Sequence, residues 1–257
     1  MKSLTKFDAI SLEQLNSTMS FMDRIESKFV INEKQLPEML KKFEKDYYIL
    51  QIKNKSIFGY HSVYFDTKDY KFYREHGKWL KMRTKIRSRC YVDSGLTYFE
   101  FKQRYYETVR KFRFEQKNSA HGKFNGKSKK FFDSLYRDTY GEKLNQNITP
   151  SIITEYKRFT LCSKNNDERL TIDTKLRFTN SRNKIAKYSL DNVAIIEVKS
   201  SKEDTKGRQI LTKMWLNPID ACSKYCLAVH NLIPKVKKYE KFEWAMNYIS
   251  NIQTTSE

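Results

Sequence analysis

The chain is poor in glycine and proline, which account for 7 and 4 of its 257 residues. Such scarcity excludes collagen-like repeats and Pro/Gly-rich low-complexity sequence. No run of about 18 apolar residues occurs, as a transmembrane helix would need. The first ten residues, MKSLTKFDAI, lack the apolar stretch of a signal peptide. We therefore expect a soluble protein in the cytoplasm, or one that is peripheral to a membrane at most.

Cysteine and histidine are also scarce, with four of each. The cysteines form no CxxC pair, and no histidine lies at a zinc-like spacing from them. A reduced, intracellular protein is the simpler interpretation. We interpret Cys222 and Cys226 as packing residues and expect His61 to be buried and hydrogen-bonded.

Acidic residues are fewer than basic ones: the chain has 30 Asp and Glu and 50 Lys and Arg, which gives a net charge of +20. An excess this large predicts an anionic partner, which charge alone leaves open between nucleic acid, polyphosphate, nucleotide and acidic membrane. Specific nucleic-acid binding lacks support, because no helix-turn-helix, RNP or zinc-finger signature is present. A hydrophobic content of 39% is enough for a folded core.

The excess of positive charge is most ordered in residues 83–104. Four cationic residues alternate with smaller or apolar ones and so share one face of a strand: Arg83, Lys85, Arg87 and Arg89. Asp93-Ser94-Gly95 has the composition of a turn. The returning strand places Glu100, Lys102 and Arg104 on one face. Because like charges repel, this face either lies in water or surrounds a polyanion.

The rest of the chain predicts more strands and several helices. Alternation indicates strands at 61–67, 108–115, 152–161, 168–173 and 193–199, and helical spacing indicates helices at 33–46, 129–140, 204–216, 223–232 and 240–252. Residues 117–130 are interpreted as a flexible basic loop. A domain boundary there is not favoured, because strand patterns resume after it. About eight strands predict an α+β barrel or a strongly curved sheet. A barrel with a cationic lumen is stable only with anions or water inside.

Eight short motifs follow one another in the chain. They are RxExK at 24–28, YFDT at 64–67, KxRxRxY at 85–91, ExK at 100–102, YxR at 156–158, RLTID at 169–173, ExK at 197–199 and SKY at 223–225. The series resembles the catalytic domain of the VTC (vacuolar transporter chaperone) polyphosphate polymerases, within the triphosphate tunnel metalloenzymes. The resemblance covers about residues 20–235. It implies one domain over 1–257, built as an antiparallel eight-stranded β-barrel tunnel with flanking and C-terminal helices.

The resemblance also implies a set of site residues. The side chains that would grip phosphate are Lys28, Arg87, Arg89, Lys102, Tyr156, Arg158, Arg169 and Lys199. Those at the transferred phosphate would be Ser223 and Lys224, with Arg158 and Lys102. Glu197 would hold Mn²⁺ or Mg²⁺, and Glu26 would be a second ligand or the partner of a tunnel lysine. Simpler interpretations stay open: Glu197 and Lys199 as a cross-strand ion pair, Ser223 as a helix N-cap, and Asp173 as a structural residue.

One departure from the wider superfamily bears on the reaction. Its metal-dependent triphosphatases begin with ExExK, whereas Arg24 stands here in the first position. This difference favours transfer over hydrolysis, so the predicted function is an ATP:polyphosphate phosphotransferase. A tunnel-fold triphosphatase and a non-catalytic polyphosphate-binding module are the alternatives. The expected partners are ATP or another nucleoside triphosphate and polyphosphate or pyrophosphate, and a membrane partner protein is left open.

Overall fold

The computed structural model describes residues 2–18, 25–106 and 108–254. In them the strands are β1 (Asp8–Ile10), β2 (Ile25–Asn32), β3 (Tyr47–Leu50), β4 (Phe58–Thr67), β5 (Met82–Tyr91), β6 (Thr97–Tyr105), β7 (Thr108–Gln116), β8 (Ile148–Ser163), β9 (Glu168–Asn180), β10 (Asn183–Leu190) and β11 (Val193–Ser200). The α-helices are α1 (Leu12–Thr18), α2 (Leu36–Phe43), α3 (Lys71–Gly77), α4 (Gly126–Tyr140), α5 (Lys206–Lys213), α6 (Lys224–Leu232) and α7 (Glu240–Thr254).

Eight strands follow one another through the sheet in the order β2-β11-β9-β8-β4-β5-β6-β7, and each pair in this path is antiparallel. Strands β1, β3 and β10 lie off this path. The predicted α+β class and the antiparallel eight-stranded sheet are therefore confirmed. A contact between distant strands shows that the sheet curls. Lys102 Nζ on β6, the last strand but one in this path, lies 3.2 Å from Glu26 Oε2 on β2, the first strand. Side chains thus meet across its concave face.

The convex face of the β5–β6 hairpin is the apolar one. Ile86, Phe99 and Phe101 are almost fully buried there, beneath Phe132 and Tyr136 of α4. Removing a large apolar side chain from water stabilises a fold by about 1.5–3 kcal/mol. Burial on this side therefore turns the alternate, charged residues of the same strands toward the concave face.

The remaining helices cover other parts of the sheet. Helices α2 and α5 contribute Leu40 and Leu211 to a core that includes Phe29 and Ile196 of the sheet. Helices α6 and α7 pack in a separate core with residues of β2, β8 and β9. None of the helices in the described residues combines the length and the apolar character that a membrane crossing needs.

Three local predictions need correction. Helix α4 begins at Gly126, within the predicted flexible loop 117–130, because Asn125 and Ser128 form a capping box. Earlier in that segment, His121 Nε2 lies 2.7 Å from His61 Nδ1, so the segment is held to the sheet. His61 is therefore hydrogen-bonded as predicted, although it is only half-buried.

The sequence analysis did not predict strand β10, since most of its residues are exposed and its apolar pattern is weak.

Candidate active site

Strand register brings the predicted cationic residues onto the concave face. Lys85 faces Lys102 between β5 and β6, and Lys199 of β11 faces Arg169 of β9 and Glu26 of β2. Arg158 of β8 is opposite Asp173 of β9. Side chains from strands far apart in the sequence therefore meet on one surface. Arg24 lies outside the described residues.

The concave face opens into a cavity of about 950 Å³, which we call the open cavity. Its cationic lining residues are Lys28, Arg83, Lys85, Lys102, Arg104, Lys111 and Lys241, and its acidic ones are Glu26 and Asp220. Among the residues that the structure describes, seven cations and two carboxylates line this space and give it a strongly positive potential. A concave site with such a lining concentrates anions from solution.

Lys85 is the clearest case of a cation without a counterion. Within the described part of the chain, no carboxylate oxygen lies within 4 Å of its Nζ. Burial, and secondarily the neighbouring ammonium groups of Lys28 and Lys102, lower the pKa of Lys85 to about 8. An anion entering the open cavity would restore that pKa and relieve the repulsion.

Two carboxylates share one lysine beside the open cavity. Lys199 Nζ lies 3.5 Å from Glu26 Oε1 and 3.4 Å from Glu197 Oε2. Burial raises the pKa of Glu26, but Lys199 and Lys102 outweigh it and bring that pKa to about 2. The pKa of Glu197 is likewise held well below its usual value, against burial, by Lys199, Lys28 and Arg158. Both groups are therefore anionic at neutral pH.

A second arrangement, which we call the paired cluster, consists of Arg158, Asp173, Lys224 and Tyr156. Arg158 Nε and Nη2 donate to the two oxygens of Asp173 at 2.5 and 2.7 Å, and Lys224 Nζ lies 2.5 Å from Asp173 Oδ2. Both cations also lie over the Tyr156 ring, 5.4 and 5.0 Å from its centroid. Asp173 is only 1% exposed. This carboxylate holds two predicted site residues in place, a structural role consistent with its interpretation from sequence.

Arg87 and Arg89 are held by side chains from nearby strands of the sheet. Arg87 Nε donates to Glu100 Oε2 at 2.5 Å, and its Nη1 donates to the Tyr64 hydroxyl at 3.0 Å. Arg89 Nη2 donates to the Tyr156 hydroxyl at 2.9 Å. Burial raises the pKa of Tyr156, so its hydroxyl keeps a proton that it can donate.

Helix α6 begins at the concave face. Its N-cap is Ser223, whose Oγ accepts a hydrogen bond from Cys226 N, and Ser223 also lines the open cavity. The predicted N-cap role is present. Because the first amides of a helix favour anions, this cap and a role near phosphate are compatible. Lys224 follows directly and points to Asp173.

The carboxylates fit a divalent metal that is shared with phosphate. Glu26 and Glu197 both face Lys199, and one or two carboxylates plus phosphate oxygens form the usual donor set of Mg²⁺ at phosphate sites. In residues 2–18, 25–106 and 108–254, no group of three or more His, Cys, Asp or Glu side chains is spaced to hold a metal. Further ligands would therefore come from substrate phosphate or water.

Several lining residues were not among the predicted site residues. Lys85 was visible in the alternation of its strand, and Lys111 lies next to Lys102 in the β6–β7 register. His76 and Lys241, by contrast, come from helices α3 and α7 and carry no strand pattern. Only the packing of those helices brings them to the open cavity.

Comparison with known proteins agrees with the motif series. The VTC domain family model matches residues 23–233, most of the chain, which confirms the resemblance. No curated protein matches the chain significantly.

Solved structures share the fold at low identity. A Hippeastrum protein, described as a proposed adenylyl cyclase with a dominant triphosphatase activity, has a TM-score of 0.50 and 12% identity over 84% of this chain and 100% of its own. A proposed adenylate cyclase from Bacillus halodurans has a TM-score of 0.49 and 12% identity over 77% and 94%. PH1819 from Pyrococcus horikoshii has a TM-score of 0.43 and 12% identity over 79% and 97%. The Hippeastrum protein and this chain share a fold.

Proposed function

This chain belongs to the VTC domain family, and on that basis we propose that it is a polyphosphate polymerase. It transfers the γ-phosphate of ATP to the end of a polyphosphate chain within the concave face of its sheet. The observation that carries the proposal is the state of the carboxylates on that face. Cations contact Glu26, Glu100, Asp173 and Glu197 there, and these four carboxylates are not suited to activate water.

Four carboxylates support this point. Glu26 and Glu197 face Lys199, Asp173 is bound by Arg158 and Lys224, and Glu100 Oε1 lies 2.5 Å from Lys111 Nζ. Cationic neighbours lower the pKa of all four, although burial opposes the shift. A general base works best when its pKa is near the operating pH. These groups are too weakly basic to take a proton from water efficiently.

Transfer to a phosphate chain needs no such base, because the attacking terminal oxygen is already anionic. The new P–O bond forms to that oxygen while the bond between the β–γ bridging oxygen and the γ-phosphorus breaks, and ADP leaves. Catalysis then consists of alignment and neutralisation of charge. In our proposal Lys28, Lys85 and Lys102 hold phosphates in the open cavity.

The paired cluster supplies the groups at the reacting phosphate. Arg158 and Lys224 are already fixed by Asp173, so little reorganisation is needed when charge develops there. Tyr156 donates its hydroxyl proton to a phosphate oxygen. Arg89 fixes the orientation of that hydroxyl by donating to its oxygen. Arg87 and Arg169 would neutralise further phosphates along the same face.

Glu197, with Glu26, would hold Mn²⁺ or Mg²⁺. When bound, the ion would neutralise phosphate oxygens and polarise the phosphorus as a Lewis acid. Lys199 would then turn from the carboxylates toward phosphate.

Incubation of the protein with ATP and Mn²⁺ or Mg²⁺ tests the proposal. We expect a ladder of polyphosphate on a gel together with ADP, and a strongly reduced ladder for Lys224→Ala. Release of orthophosphate without polymer would show a triphosphatase instead. Binding of polyphosphate without turnover under either metal would show a non-catalytic module.

A further inference from the structure

The lining of the open cavity includes an exposed aromatic side chain, Trp79, that no phosphate contact requires. Trp79 lines the cavity and is 51% exposed, and Tyr106 is also 51% exposed. They come from different turns, which follow α3 and β6. The two turns touch, since Tyr106 N donates to the Lys81 carbonyl oxygen at 3.0 Å. The turn of Tyr106 therefore lies beside the turn that carries Trp79, whose exposed side chain lines the open cavity.

Both residues adopt a backbone conformation that is unfavourable for their side chains. Trp79 has a φ of 54° and Tyr106 a φ of 53°, in the left-handed region that favours glycine. Bulky residues persist there only where the surrounding structure imposes the conformation, and such positions cluster at ligand sites. Neither ring is buried in the core, so packing does not explain the choice of residue.

The rings are also held in position by cations. Lys241 Nζ lies 3.6 Å from the centroid of the Trp79 ring, and Lys81 Nζ lies 5.2 Å from that of Tyr106. Lys241 is itself fixed, because its ammonium group donates to the carbonyl oxygen of His76. The indole is thus oriented before any ligand arrives.

We propose that Trp79, with Tyr106 beside it, is the stacking platform for the base of the nucleotide whose phosphates enter the open cavity. The inference rests on the proposed use of a nucleoside triphosphate. An aromatic ring adds little to the binding of a bare phosphate chain, whereas it stacks on any base. Stacking tolerates every base because each has a π-face. The platform therefore predicts that adenine, guanine and uracil nucleotides bind with similar affinity.

The test compares ATP with tripolyphosphate, which has the same three phosphates and no base. Binding is measured by calorimetry for the wild type, Trp79→Gly and Trp79→Phe. We expect Trp79→Gly to weaken ATP about tenfold, the typical contribution of one base–aromatic stack, and to leave tripolyphosphate unchanged. Trp79→Phe should keep most of the affinity for ATP. The melting temperature of Trp79→Gly should not fall, since glycine suits this backbone.

Trp215 offers a matched control. It is 90% exposed, has a φ of 62° and is not among the residues that line the open cavity. Trp215→Gly should bind both ligands as the wild type does. Tyr106→Gly gives a second test, with a smaller loss for ATP alone.

The outcomes separate this inference from the proposed function. Equal losses of ATP and tripolyphosphate in Trp79→Gly, or no loss of either, would overturn the stacking platform even if polymer forms. Conversely, a wild type that binds ATP more tightly than Trp79→Gly but makes no polymer would leave the platform standing and remove the polymerase. A wild type that binds tripolyphosphate but not ATP would overturn the platform as well.

Discussion

Lys85 of the open cavity and the two cations of the paired cluster lie on one concave face, but only the latter are paired with a carboxylate. In the paired cluster, Arg158 and Lys224 share a buried carboxylate. In the open cavity, Lys85 has no carboxylate oxygen within 4 Å of its Nζ among the described residues, and the ammonium groups of Lys28 and Lys102 help to lower its pKa. The first arrangement leaves each buried charge with a partner, so removing one partner destabilises the unliganded protein. The second costs stability until an anion arrives.

This difference separates two functions of a cationic side chain. A paired cation is held in a fixed geometry, as a reacting centre requires. An unpaired one supplies binding energy, because a polyanion removes repulsion as well as adding attraction. We therefore expect substitutions of Lys85 and of Arg158 to have opposite effects on the stability of the unliganded protein.

The largest effect should come from Arg158→Met. This change leaves Asp173 buried with Lys224 as its remaining partner, and breaking a buried ion pair costs about 3–5 kcal/mol. Denaturant unfolding of the ligand-free protein measures the loss. Arg177→Met on the exposed side of β9 is the control and should stay within about 0.5 kcal/mol of the wild type. Similar stabilities for both variants would contradict the anchoring role of Asp173.

Lys224→Ala tests the paired cluster as a reacting centre. We expect turnover to fall about 10²-fold, the typical cost of one electrostatic donor to a transition state. The fold should persist because Asp173 keeps both bonds from Arg158. Polymer formation is followed at saturating ATP, with the exposed Lys235→Ala as control. An unchanged rate would remove Lys224 from the site.

Lys85→Met should weaken ligand binding but stabilise the unliganded protein, whereas Arg158→Met destabilises it. Affinity for tripolyphosphate should fall about tenfold, because one charge-assisted contact is typically worth about 1.5–3 kcal/mol. The unliganded protein should become more stable, since the repulsion with Lys28 and Lys102 is lost. Thermal unfolding with and without tripolyphosphate gives both quantities. Lys157→Met, on an exposed part of β8, should change neither, and a destabilised Lys85→Met would contradict the comparison.

The smallest expected effect is a dependence on pH. The pKa of Lys85 is about 8 in the folded protein and about 10.4 in an unfolded chain. Between these values the unfolded chain binds a proton that the folded one does not, so the free energy of unfolding rises with pH. Below pH 8 both states are protonated and the penalty is fully present.

Because Lys85 is partly solvated, we expect this rise to be only about 1 kcal/mol. Unfolding measured at pH 7.5 and 10 in the wild type and in Lys85→Met isolates the contribution. The free energy of unfolding of the wild type should increase relative to that of the variant as the pH increases. Parallel curves would show that Lys85 has an ordinary pKa.

Much of the fold could be predicted from the sequence, because the periodicity of a strand depends on neighbouring residues only. Arg87 and Ile86 are neighbours, so an extended chain must place them on opposite faces. The eight motifs added the order of the strands through resemblance to a family. What periodicity leaves open is which face turns inward, and α4 decides this by burying Ile86 and Phe99 beneath Phe132.

The contacts within the site could not be predicted from the sequence in the same way. Asp173 pairs with Arg158 and Lys224, which lie 15 and 51 positions away, and no local pattern joins all three. The positions of His76 and Lys241 at the open cavity likewise depend on how α3 and α7 pack. No sequence pattern around Trp79 predicts that its backbone adopts a left-handed conformation.

By itself, then, the sequence determined the excess of positive charge, its alternation along the strands and the family to which the chain belongs. Only the tertiary structure decided which of those cations receive a counterion and which are left for a ligand. The physical reason is that alternation depends on neighbouring residues alone, whereas the pairing of two charges depends on the distance between segments that only folding brings together.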